Sequence, residues 1–494
     1  MKFTSKKSEL VDKLIKDKEY LFTLTNSYGD LLNVILPEEI NSNIDSFKEC
    51  FKKHRIKGSI YYAHKCNHST AIVNEMLNNN INIDVASLNE LKHVLGVGFI
   101  GNKIEATGPK NDDFLILGLR HDILFNVDNI EELLKIIKFH KKLNKKEKTK
   151  VLIRLNNFSS KENKIIPKQS RFGININGID EVIKILLENK DIVDIRGFSY
   201  HLDTIEVKEK AIAIENIIMI FGKCFELNLN PSVINIGGGF KVNYIENEEI
   251  WNKGITKIKE NILTSSNELW NNATYGLNVQ NGTLKGAINV YNYFDNIVKA
   301  QFLDEILSYK SVKFENRQIS EILSDNMIEL MIEPGKSLLD NVGINIAKVI
   351  FTKKSALGDV LVGLDMNRSN LLIGDQEMLV DPILITKNNN IINEVKTEDV
   401  FEKDVQIAKN EGVYFVGNLC MENDILYKHK IKFNTMPKNG DLLLFTNTAG
   451  YFMDFNESKT IMQNTARKIV VLNKNNKFES MIEENYDKFK QGDI

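Results

Sequence analysis

Cysteine is scarce in this chain, and its spacing pairs nothing. Cys50, Cys66, Cys224 and Cys420 are scattered, with no CxxC among them. That argues against a disulfide scaffold and for a reduced setting. A surplus of one charge is also lacking: 64 Lys and Arg stand against 66 Asp and Glu, a net charge of −2. The balance gives no footprint for nucleic acid or an acidic membrane surface, and neither is expected as a partner. Lysine runs such as Lys145-Lys146-Glu147-Lys148 are broken by acids and read as solvated faces. No stretch approaches the ~20 apolar residues of a membrane span. The start, MKFTSKKSEL, has no apolar h-region and no small-residue cleavage site, so no secretory signal and a cytoplasmic location are expected. His64, Cys66 and His68 crowd together, but their spacing fits no standard zinc pattern, and no metal is expected.

What is present is an ordinary globular composition, 43% hydrophobic and 26% charged, over 494 residues. That is more than one core usually carries, so two domains are expected. Eight short β-rich runs stand out: Ser59–Lys65, Ile81–Ala86, Lys103–Thr107, Ile123–Val127, Lys150–Leu155, Val193–His201, Val233–Gly237 and Ile328–Glu333. Stretches of helical periodicity separate most of them, among them Ala71–Asn79, Leu88–Leu95, Ile130–Leu143, Ile179–Glu188 and Val207–Leu227. Eightfold strand–helix alternation predicts an α/β fold, a (β/α)8 TIM barrel over 43–343; an open doubly wound sheet is the runner-up.

A strand-rich tail follows, with runs at Ile344–Phe351, Val360–Met366, Ile383–Thr386, Val413–Val416 and Leu442–Thr446. Residues 344–494, with 1–42, are read as a β-rich second domain. The connection from Gly239 to Glu333 is too long for one βα unit. It is read as an ordered insertion, 241–327, on the active-site side, with helix-like stretches at Glu249–Leu263 and Val290–Leu307.

The chemistry of such barrels sits at the C-terminal strand ends, where the unusual polar residues fall. Lys65 ends the first run. A core does not want an ammonium unless something uses it, and burial would make its amine a nucleophile towards carbonyls, as in a Schiff base with pyridoxal phosphate (PLP). A solvent-pointing lysine is the plain alternative. Asp84 lies in the second run, Arg154 near the end of the fifth, and His201 at the end of the sixth. Gly237-Gly238-Gly239 would offer successive backbone N–H groups to an anion, or simply make a turn. Glu333, ending the eighth run, would face a pyridinium nitrogen across the barrel mouth and keep it protonated, an electron sink for a carbanion at Cα. A salt bridge with Lys336 or Arg154 is its plain alternative.

Several stretches in order over nearly the whole chain carry a family resemblance. They are Tyr62-Ala63-His64-Lys65-Cys66-Asn67, Ile83-Asp84-Val85-Ala86-Ser87, Ser170-Arg171-Phe172-Gly173, His201 with Asp203-Thr204, Ile236-Gly237-Gly238-Gly239-Phe240, Glu333-Pro334-Gly335-Lys336, Val416-Gly417 through Cys420 to Asp424, and Ala449-Gly450-Tyr451. The chain resembles the fold-type III PLP enzymes, the diaminopimelate/ornithine/arginine decarboxylases, whose fold is the alanine-racemase-like barrel plus a C-terminal β-domain. The resemblance implies that Lys65 holds PLP, His201 stacks on the ring and Glu333 pairs with its nitrogen. It implies phosphate contacts from Gly237, Gly238, Gly239, Thr204 and Tyr451, with Lys336 where the family usually has Arg. Asp84 and Arg154 would complete the cofactor site. Cys420 would protonate Cα in the partner subunit's site, making an obligate homodimer of composite sites.

Three departures bear on the substrate. The family's specificity acid directly follows the Cys; here that position is Met421, with Glu422 next and Asp424 beyond, and these three are expected near the substrate. A methionine cannot pair with a distal ammonium, so free diamino acids fit poorly unless Glu422 turns in. The diaminopimelate enzymes' Arg-Pro clamp has Asp381-Pro382 in its place, and Lys336 holds phosphate as a point charge rather than a fork. The expected activity is therefore α-decarboxylation of an amino acid or amino-acid conjugate. A racemase on the same fold would need acid–base groups on both faces of Cα and often an Arg at the ring nitrogen, against which Glu333 and Cys420 speak. A non-catalytic PLP-binding homologue would have no use for Cys420.

Overall fold

The computed structural model describes residues 2–158, 170–202, 204, 206–371, 379–387, 411–454 and 462–486. The chain divides into two compact units, one of residues 40–241 with 297–338, the other of 1–39, 242–296 and 339–494.

The first unit is the barrel. Its strands are β1 (Gly58–Ala63), β2 (Asn82–Val85), β3 (Ile104–Ala106), β4 (Leu124–Val127), β5 (Thr149–Asn156), β6 (Val193–Ser199), β7 (Val233–Asn235) and β8 (Glu329–Ile332). Every neighbouring pair is parallel. The β8–β1 and β4–β5 pairings close the ring. The runs read as hydrophobic because a barrel strand is buried on both faces, by interior packing and by the helix layer. Helices α1 (Thr70–Asn78), α2 (Leu88–Val97), α3 (Asp112–Arg120), α4 (Ile130–Lys142), α5 (Ile179–Glu188) and α6 (Val207–Glu226) follow strands one to six. Three start on side-chain caps: Ser87, Asn111 and Asn129 accept the backbone N–H of Glu90, Phe114 and Glu132. Each such cap is worth about 1 kcal/mol.

The long connection is shared between the units. Residues 242–296 group with the β-rich unit, while α7 (Lys299–Ser308) and α8 (Ile319–Asp325) belong to the barrel. Glu248–Leu263 is helical as expected, but Val290–Leu307 is so only from Lys299. Its first part is held extended: Asn243 Nδ2 donates to Asp295 O and Asn243 Oδ1 accepts Asp295 N–H, while the Tyr293 ring is buried in the β-rich core.

In the β-rich unit the strands run in the order Ile431–Lys432, Gly412–Val416, Val360–Leu364, Gly343–Lys354, Leu31–Ile35, Arg467–Lys474, Lys477–Ile482. Leu442–Thr446 also pairs with Gly343–Lys354 and carries Ile383–Ile385. Leu31–Ile35 lies between two strands from the far end of the chain, antiparallel to Gly343–Lys354 and parallel to Arg467–Lys474. Among the described residues no helix is long and apolar enough to cross a membrane.

Candidate active site

The polar residues of the barrel gather at one end because each sits in, or just beyond, the last residues of its strand. Strand β1 stops at Ala63, whose N–H reaches Pro334 O, and a 3-10 turn of His64–Cys66 carries Lys65. Asn67 fastens that turn: its carbonyl accepts the Tyr62 hydroxyl and its Oδ1 accepts Ser69 N–H. Lys65 is exposed, not buried as the strand reading required, because the chain has left the strand. Strand β8 lies directly beside β1, so Glu333 stands next to the lysine's strand rather than across from it.

Inside the mouth lies a cluster of three buried carboxyl groups, Asp84 on β2, Glu105 on β3 and Glu333 just after β8. Asn235 of β7 bridges two of them. Its Nδ2 donates to Glu333 Oε1 at 2.7 Å and to the Glu105 carboxyl at 2.9 and 3.0 Å. Asn126 Nδ2 adds a second donor to Glu105 at 2.9 Å, and Ser199 holds Asn126 from the other side. Burial, then the Glu333 and Asp84 charges, push Glu105 well above the usual carboxylate range, against the pull of the two amides. Asp84 is pushed up to about 7, first by burial and then by Glu333, while Lys65 and the Thr107 hydroxyl at 2.6 Å pull it down. Asp84 Oδ2 is buried with no hydrogen-bond partner.

His201 keeps an open side at the mouth, yet enough protein surrounds it, with Lys210, Lys65 and Arg154 nearby, to push its imidazole down to about 3. It is therefore neutral. Its Nδ1 accepts Gly238 N–H at 3.3 Å, which leaves the other ring nitrogen the proton. Gly237 N–H is likewise taken, by Asn235 Oδ1 at 2.8 Å. Two of the three N–H groups expected to face an anion are thus taken by Asn235 and His201. What the glycines supply is room: a Cβ on Gly238 would lie 2.7 Å from Glu333 O, and Gly237 and Gly239 have φ of 66° and 92°. Buried Lys210 ties the loop from beneath, donating to Ile236 O and Gly238 O. The Arg154 guanidinium lies over the Phe172 ring at 4.7 Å, and Asn156 Nδ2 holds the carbonyls of Phe172 and Gly173. Thr204 Oγ1 accepts Glu206 N–H ahead of α6; Asp203 lies outside the described residues. Lys336 opens a half-buried 3-10 turn after β8.

Cys420, Met421, Glu422, Asp424 and Tyr451 belong to the β-rich unit. Cys420, Met421 and Glu422 are exposed on one loop. Asp424, expected near substrate, is buried and shapes that loop: its carboxylate accepts Leu419 N–H and Arg368 N–H, each at 2.8 Å. Asp381, at the place of the missing clamp, accepts Phe3 N–H at 2.9 Å and is likewise structural. Tyr451 adopts φ 72°.

The mouth suits pyridoxal phosphate: a reachable primary amine, a buried carboxylate held by an amide, a neutral histidine, a glycine cradle and a cation at Lys336. Residues 37–279 match the model of the pyridoxal-dependent decarboxylases, pyridoxal binding domain. The chain is similar to that family, as a divergent relative. PLP is its cofactor. An uncharacterized protein, y4yA, of Sinorhizobium fredii is 25% identical over 460 residues, 92% of this chain and 90% of that one. A Bacillus methanolicus diaminopimelate decarboxylase is 28% identical over 237 residues, 46% of this chain and 54% of its own length. The crystal structure of an M. jannaschii diaminopimelate decarboxylase with L-lysine superposes with a TM-score of 0.67 at 19% identity, covering 96% of this chain and 94% of that one. The enzyme is thus a PLP-dependent carboxy-lyase by family.

The sequence reading missed Glu105, Asn126, Asn235 and Lys210. Glu105 had a signal, a lone acid in the apolar run Ile104-Glu105-Ala106, where an unpaired charge is untenable.

Proposed function

We propose that this enzyme removes the α-carboxylate of an amino acid or amino-acid conjugate, with Lys65, Glu333 and Cys420 in the central roles. The observation that carries the reading is Glu333, buried and hydrogen-bonded by Asn235 beside the strand that leads to Lys65. When bound, PLP supplies the electron sink that accepts the pair left at Cα as CO2 departs. Lys65 Nζ would hold the cofactor through its carbonyl carbon. Glu333 holds a proton at the ring nitrogen, and neutral His201 offers its ring as a flat, uncharged support. Gly237, Gly238, Gly239, Thr204, Lys336 and Tyr451 bind the phosphate, and Arg154 and Asp84 complete the surroundings of the ring. Cys420, exposed on its loop, returns the proton to Cα in the site of a second subunit, so the working enzyme is a homodimer. Met421 removes the acid that would grip a distal ammonium, which points to a substrate whose side-chain amine is absent or acylated.

The test is mass spectrometry of an amino-acid and conjugate panel incubated with holoenzyme in D2O. Loss of CO2 with one deuterium gained is the expected result. Exchange at Cα without loss of CO2 would replace the reading with a racemase.

A further inference from the structure

The turn that carries Lys65 holds a second cluster, which the chemistry above leaves unused. His64 and His68 flank the lysine, and α2 brings Glu90 and His93 against them. His64 is buried, with 1% of its surface exposed, and its Nδ1 has no hydrogen-bond partner. That nitrogen lies 3.6 Å from Glu90 Oε1, and His68 Nε2 lies 3.4 Å from the same oxygen. The three atoms fall within 4.8 Å of one another.

The far side of His64 is fixed. Its Nε2 is 2.8 Å from His93 Nδ1, and His93 Nε2 is 3.2 Å from Thr70 Oγ1. With the Thr70 hydroxyl accepting from His93, His93 accepts from His64 Nε2–H and His64 Nδ1 turns a lone pair towards Glu90; in the opposite tautomer Nδ1–H points at the same carboxylate, and a cation would take that proton's place. Metal-binding histidines are oriented in this way, by a hydrogen bond on the ring nitrogen that does not ligate. The distances agree as well. Zinc bonds of about 2.0–2.1 Å at a tetrahedral angle separate two ligand atoms by about 3.4 Å, against the 3.6 and 3.4 Å found here.

We propose that His64 Nδ1, His68 Nε2 and Glu90 Oε1 bind a divalent transition cation of the zinc type, with water in the fourth position. The ion ties the Lys65 turn to α2 and takes no part in the reaction. The sequence hid the site because Glu90 and His93 follow the two histidines by more than twenty residues and meet them only through the β1–α1 and β2–α2 loops. Glu90 also accepts Ala86 N–H at 2.6 Å, which holds its carboxylate in place. A second mixed cluster among the described residues, Cys50, His54 and Asp304, is different: Lys53 already neutralises Asp304 at 2.7 Å.

The experiment is equilibrium dialysis of chelator-treated holoenzyme against zinc chloride, counting zinc per chain, with a melting curve on each sample. Native protein and Asp304→Asn are expected to retain one zinc per chain and to melt higher with it. His68→Ala, a change at an exposed ring that leaves the core intact, is expected to bind at least about tenfold more weakly and to lose the thermal shift; Glu90→Gln should behave likewise. Native protein that retains no zinc overturns the proposal. So does equal zinc binding by His68→Ala, which would place the ion elsewhere.

Discussion

Asn235 is the residue on which the barrel mouth turns, and its replacement by alanine has a calculable effect. Three partners would be stranded: the Glu105 carboxyl, the Glu333 carboxylate and the Gly237 N–H, at 2.7 to 3.0 Å from the amide. Asn235 is fully buried, so no bulk water replaces it. Each stranded buried group costs about 1–3 kcal/mol. Glu105 keeps its Asn126 donor, which lowers its share. The expected loss is about 3–6 kcal/mol, a large part of the ~5–15 kcal/mol that stabilises a typical domain. Guanidinium titrations of the native and Asn235→Ala proteins measure this. A loss under about 1 kcal/mol would refute the picture of a bridged carboxyl cluster.

Asp84, raised to about 7 in the fold from about 4 when unfolded, binds its proton more tightly in the folded state. Its contribution to stability is therefore full below pH 4 and is lost as the pH rises to 7; Asp84→Asn should flatten that part of a stability–pH profile. Gly238→Ala would push a methyl to 2.7 Å from Glu333 O, so PLP affinity, followed by absorbance on dilution, should fall by at least about tenfold, equivalent to 1.4 kcal/mol. Lys110 is buried and donates to Glu132, Asn126 O and Gly108 O. Lys110→Met should cost about 3–5 kcal/mol by leaving Glu132 uncompensated, and adding Glu132→Leu should recover much of it in a denaturant titration.

Much of the fold was legible because a parallel barrel writes itself as apolar runs ending in polar residues. All eight runs match strands, with ends differing by a residue or two; the overshoot to Lys65, His201 and Glu333 arises because those residues sit in the turns just past the last ladder bond. The helix at Val290–Leu307 was misread over its first half, where spacing alone could not show that Asn243 would hold Asp295. In the site, residues with unusual chemistry at strand ends were visible. The amides and the third acid were not: Asn126 and Asn235 read as ordinary polar residues until strand pairing places them around Glu105. Lys65 was selected on an argument from burial, whereas the residue is exposed in the turn past its strand.

The strand Leu31–Ile35 carries a consequence for how the chain comes into being. Its two neighbours in the sheet begin at Gly343 and Arg467, more than three hundred and more than four hundred residues later. On a ribosome, the first strand of the β-rich unit waits for Gly343–Lys354 before one edge is covered and for Arg467–Lys474 before the other. The barrel's residues end at Leu338, well before Arg467 is made. Vectorial synthesis therefore favours a folded barrel carrying an unfinished sheet, whose exposed edge is the segment most in need of a chaperone. Truncation just before Arg467 should leave that edge open for good, and such a product should aggregate while its barrel remains folded.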